Sequence, residues 1–79
     1  MHRRTVGFYS VEVRTLKTPE GVWKAAYLVE PAGHARPRDF VMISLLEQFE
    51  DEREAVDVAM ERGVSHAAWL EAARSTPVR

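Results

Sequence analysis

The chain has 79 residues, 46% of them apolar and 29% charged, with no cysteine and a formal net charge of −1. That composition is of an ordinary globular domain, and it excludes disulfides, thiolate metal sites and a strongly basic nucleic-acid binder. A domain this short buries only about 60–65% of the surface its unfolded chain exposes, so it gains much from a partner. Charge is segregated: residues 1–40 carry a net +3 and residues 41–79 a net −4.

No apolar run approaches the roughly 18 residues of a transmembrane helix, and no apolar core follows Met1-His2-Arg3-Arg4 as a signal peptide requires. A cytoplasmic protein without membrane contact is expected. Residues 1–4 read as a flexible end.

The first strand is expected from Thr5 to Thr15, where Tyr9, Val11 and Val13 alternate with Ser10, Glu12 and Arg14. Leu16-Lys17-Thr18-Pro19-Glu20-Gly21 breaks it as a turn, because proline presets φ and glycine permits a positive one. A second strand follows from about Val22 to Glu30. The segment from Pro31 to Arg38, with two prolines and a glycine, ends it. A third strand runs from about Asp39 to Glu50. Three strands with short connections form an antiparallel meander.

Asp51 then offers a helix N-cap, with Glu54 three residues on as in a capping box. From there Val56, Ala59, Met60, Gly63, Ala67 and Leu70 fall on one helical stripe. Small residues at 55, 59, 63 and 67 would let the helix approach the sheet closely. Two readings of Gly63 stand. In one, a single helix runs from about 52 to 74, and the glycine costs it up to about 1 kcal/mol. In the other, Gly63 ends one helix and Ser65 caps another, with Val64 and Trp69 as a hydrophobic staple. The stripe stays in phase across Gly63, which favours one helix, kinked or broken there at most. Residues 75–79 read as a frayed tail. The fold expected is α+β, a single domain over residues 1–79 with a three-stranded meander and one C-terminal helix on one sheet face.

The odd-numbered face of the strands (Tyr9, Val11, Val13, Trp23, Ala25, Tyr27, Val29, Val41, Ile43, Leu45) is apolar and forms the expected core. The even face should be polar in a monomer with only one helix. Instead it carries Val22 and Ala26 and, as its larger apolar side chains, the five residues Phe8, Leu28, Phe40, Met42 and Leu46, diluted by Ser10, Glu12, Lys24 and Ser44. An apolar patch of this kind marks an interaction surface. Those five residues are the expected contact, with a homodimer as the first partner and another protein as an open alternative.

Motifs for chemistry are sparse. His2, His34 and His66 sit in different elements without metal-ligand spacing, so no metal or other cofactor is expected. The acidic run Glu47, Glu50, Asp51, Glu52, Glu54 fits capping and solvation better than paired catalytic carboxylates. No nucleophile elbow and no phosphate-binding glycine loop occurs. An enzyme is not expected. The basic groups Arg3, Arg4, His34, Arg36 and Arg38 supply the second reading. They would hold an anion or a single-stranded nucleic acid if the meander brought them to one edge.

The run Phe49-Glu50-Asp51-Glu52-Arg53-Glu54-Ala55-Val56-Asp57-Val58-Ala59-Met60-Glu61-Arg62-Gly63 resembles the strand–helix junction of short, uncharacterised bacterial domains with a β-β-β-α layout. It shows their terminal Phe, Glu-Ala step and helical Ala and Gly. It is also similar to the junction of HicB-type antitoxin domains, which bind a toxin through a small α+β domain. The resemblance spans the last two strands and the helix. It implies that fold and a protein partner.

Overall fold

The structure is a computed structural model that describes residues 2–32 and 40–75. Four strands, β1 (His2–Val6), β2 (Tyr9–Lys17), β3 (Trp23–Pro31) and β4 (Val41–Ser44), are followed by one helix, α1 (Glu52–Ser75). All neighbours are antiparallel and the sheet order is β1-β2-β3-β4. The class is α+β as expected, with four strands in place of three.

The extra strand comes from Gly7-Phe8. What reads as one strand from Thr5 is a hairpin, with Val6 opposite Tyr9 and two residues between them. Gly7 has φ +57° and Phe8 a negative φ, the signature of a type II′ turn, which matches the twist of its strands. Residues 2–4 therefore lie in an edge strand. α1 clamps the turn: the Phe8 amide donates to Glu71 Oε1 at 2.9 Å, and the Arg74 guanidinium sits 4.1 Å from the Phe8 ring centroid. Those two helix residues are three apart and so share a face. A β-carbon on Gly7 would lie 2.7 Å from the Glu71 carboxylate.

The second hairpin has a five-residue loop. Gly21 (φ +90°) donates its N–H to the Thr18 carbonyl at 2.9 Å, with Pro19 inside the turn. The last predicted strand is shorter than expected. After Ser44, Leu45 still donates to the Ala25 carbonyl at 2.9 Å, and Phe49 exchanges two backbone hydrogen bonds with Trp23. Three residues, Leu46, Glu47 and Gln48, thus stand where β3 has only Lys24, and the chain bulges there.

α1 begins at Asp51, whose Oδ2 accepts from the Glu54 amide at 3.1 Å, and Glu52 and Glu54 suit the positive end of the helix. It runs unbroken through Gly63. Ala55, Ala59, Gly63 and Ala67 are all buried, a stripe of small residues at four-residue spacing laid against β2 and β3. A β-carbon on Gly63 would lie 2.5 Å from Val11 Cγ1. The glycine is there to let backbone meet sheet, not to end the helix.

Val11, Val13, Ala25, Tyr27, Val29, Leu45 and Phe49 complete this core. The expected odd face is therefore the helix face, with one correction. Val41 and Ile43 belong to it by register but are exposed, because α1 packs on β2 and β3, touches β1 and leaves β4 uncovered. Burial lifts the Tyr27 phenol above its usual range, opposed in part by the Arg62 charge, and its hydroxyl meets His66 Nδ1 at 2.9 Å.

Glu47, in the bulge, and Arg62, on α1, form a two-pronged ion pair (Nη1 to Oε1 at 2.8 Å, with Nη2 to Oε2 alongside). The Arg62 hydrogen bonds, helped by a backbone hydrogen bond, bring the Glu47 carboxyl down to about 2. A carboxylate with a depressed folded pKa contributes stability that is complete above its unfolded value of about 4.3 and lost as pH falls through the folded one. An NMR pH titration should give Glu47 a midpoint near 2, rising toward the ordinary value of about 4.3 in Arg62→Gln, where the backbone hydrogen bond remains. An unchanged midpoint would show that the pair does not persist in solution, as happens for many exposed pairs.

Candidate functional site

The face of the sheet opposite α1 divides into two halves. On the β1–β2 half, register sets Arg3 opposite Glu12 and Thr5 opposite Ser10. Glu12 is only 5% exposed although it faces away from the helix. Arg3 Nη2 donates to Glu12 Oε1 at 3.0 Å and Arg14 Nε to Oε2 at 3.3 Å. Desolvation pushes this carboxyl upward, but hydrogen bonds from Arg3 and Arg14 and their charges outweigh it, and the group sits below the ordinary range. This half is closed by its own ion pairs.

The β3–β4 half is different. Leu28 is buried beside Met42, its partner in register, while Met42 is 52% exposed. Phe40 is 41% and Leu46 97% exposed. A groove of about 520 Å³ runs along this side, lined by Leu16, Ala26, Met42 and Leu46 with Arg14 and Lys24. On the other side of the sheet a second groove, of about 500 Å³, lies between β4 and α1, lined by Tyr27, Ile43, Leu46, Glu47 and Arg62. Among the described residues β4 and its bulge thus stand bare on both faces, and one long edge of β4 has no neighbouring strand.

The other sheet edge, β1, reads His-Arg-Arg-Thr-Val and is charged. Charged side chains on an edge strand discourage strand addition. β4 reads Val-Met-Ile-Ser, with all four residues exposed. The two edges of one sheet are built on opposite principles.

Of the five residues expected at the contact, Leu28, Phe40, Met42 and Leu46 belong to this apolar half. Phe8 does not. The hairpin turns it onto α1, where it packs against Arg74 and edge-on to Tyr9 at 5.6 Å. Val41 and Ile43, expected in the core, join the exposed set instead.

Of the five basic groups of the second reading the structure describes two, Arg3 and Arg4, which with His2 border one groove against Val56, Asp57 and Met60 of α1. Alternation along β1 puts Arg3 on the open face with Glu12, and Arg4 on the helix side, where it lines a groove with Asp57 and Met60. The connection after β3 leaves the sheet beside the Gly7-Phe8 turn, where Ala32 donates to the Phe8 carbonyl at 2.8 Å. His2, at the far end of β1, pairs with Val13 in the middle of β2. His34, Arg36 and Arg38 lie outside the described residues. Among the described residues no three metal-ligating side chains stand together, and no helix is long and apolar enough to cross a membrane.

No family model, no curated protein and no solved structure matches this chain.

Proposed function

We propose that this chain is a non-enzymatic interaction module that self-associates through its sheet, acting in the cytoplasm. The observation that carries the reading is the contrast between the two sheet edges. β1 is charged, while β4 is apolar and continuous with the apolar half of the open face. A contiguous exposed apolar surface on so small a domain marks an interaction site, and burying it supplies the stability that 79 residues without a disulfide lack. The similarity of the strand–helix junction to small antitoxin domains points the same way, to a protein that works by holding another chain.

Amide chemical shifts followed over a dilution series test this surface. Residues 40–46, together with Leu16, Ala26 and Leu28, should move with concentration, while the outer face of α1 around Trp69 stays fixed. Concentration-dependent shifts confined to α1 or to β1 would place the contact elsewhere and end the reading.

A further inference from the structure

We propose that β4 is where two copies of this chain join, by antiparallel pairing of Val41–Ser44 with the same strand of the second copy, so that two four-stranded sheets become one of eight strands. The proposal rests on the self-association reading above and gives it a geometry.

The hydrogen-bonding parity of the sheet supports it. Leu45 donates to the Ala25 carbonyl at 2.9 Å, and Ile43 and Val41 stand opposite Tyr27 and Val29. In an antiparallel pair, alternate residues turn their N–H and C=O toward the same neighbour. Val41, Ile43 and Leu45 therefore face β3, and Met42 and Ser44 aim theirs outward. An identical strand turned about a two-fold axis offers the same set. Met42 then meets Ser44 of the second copy, Ser44 meets its Met42, and Ile43 lies on the axis against its counterpart. A contact of this kind is isologous, each copy using the same patch. No charged residue occurs between Phe40 and Leu46, so no like charges meet within the paired segment.

Area and edge chemistry agree. Phe40, Val41, Met42, Ile43 and Leu46 are all exposed, from 39% to 97%, and lie together, a contiguous start on the roughly 800 Å² per partner of a standard interface. The charged β1 edge resists the same reaction. With one receptive edge among the described strands, strand addition closes at two copies and does not continue into a fibre. The two α1 helices would then lie on the same side of the joined sheet, flanking the groove over both β4 strands.

Amide hydrogen exchange on the full chain, read residue by residue at low and high concentration with light scattering on the same samples, tests the pairing. Where the mass doubles, the Met42 and Ser44 amides should exchange at least tenfold more slowly than in the dilute chain. The Val41 and Ile43 amides, bonded to β3, should be protected in both. If no dilution separates the copies, a synthetic chain N-methylated at Met42 takes its place. That methyl blocks only an outward N–H and should leave a folded monomer. A doubled mass with Met42 and Ser44 exchanging as in the monomer, or a dimer that survives the N-methyl group, would overturn edge pairing while leaving self-association standing. A monomer at every concentration would remove both.

Discussion

Gly63→Ala should lower the unfolding free energy by about 1–3 kcal/mol, the usual range for forcing an extra carbon into a packed core. On helix propensity alone the change is favourable, by up to about 1 kcal/mol. Packing decides the sign. The new β-carbon would stand 2.5 Å from Val11 Cγ1 and 3.2 Å from Tyr27 Cβ and Cδ1. Val11 is fully buried and β-branched, so it has no room and few rotamers with which to yield. α1 must lift from the sheet instead, loosening Ala59 and Ala67, both fully buried. In a domain of this size the loss corresponds to a drop in Tm of roughly 4–24 °C. Thermal or urea unfolding reads it directly. A variant as stable as the parent would show that α1 does not approach β2 as closely as described.

Met42→Lys should leave the fold intact and weaken self-association by about 100-fold. The side chain is half exposed at an edge, and surface substitutions of that kind change stability by about 0.5 kcal/mol or less. In the associated state it lies within the buried patch. A lysine there must be desolvated opposite Ser44 of the second copy, with a second lysine diagonally across the axis on the same face, a combined penalty of about 2.7 kcal/mol for that fold-change. Lysine on an edge strand is also the device by which sheets resist pairing. The dissociation constant from sedimentation or light scattering, beside an unchanged circular dichroism spectrum, measures the effect. Equal affinity in variant and parent would put the contact away from β4.

The faces of the sheet were legible because alternation survives local irregularity. The bulge at Leu46, Glu47 and Gln48 inserts two extra residues, an even number, so Leu45 and Phe49 stay on the helix side as the simple pattern expects. For the same reason the bulge itself was invisible in the sequence. The Gly7-Phe8 turn is not legible in the sequence, because one isolated glycine beside a phenylalanine is a weak signal and Tyr9, Val11 and Val13 read as the middle of a longer strand. That hides Glu12. Its burial depends on Arg3 standing opposite, which requires β1, and β1 requires the turn.

The small-residue stripe of α1 could be read from its spacing, and the structure uses it as expected. The reach of α1 could not be read. Whether one helix shields three strands or four depends on where it crosses the sheet. Gly63 fixes that crossing over Val11 and Tyr27, on β2 and β3. Val41 and Ile43 are left outside as a result, and the candidate surface grows from a sheet face to a face and an edge.

The central claim is that this apolar edge brings two copies together, and the mass of the parent chain in solution tests it most directly. Light scattering after size exclusion should give twice 9.0 kDa at tens of micromolar, falling toward 9.0 kDa on dilution. A mass of 9.0 kDa maintained up to hundreds of micromolar would contradict it.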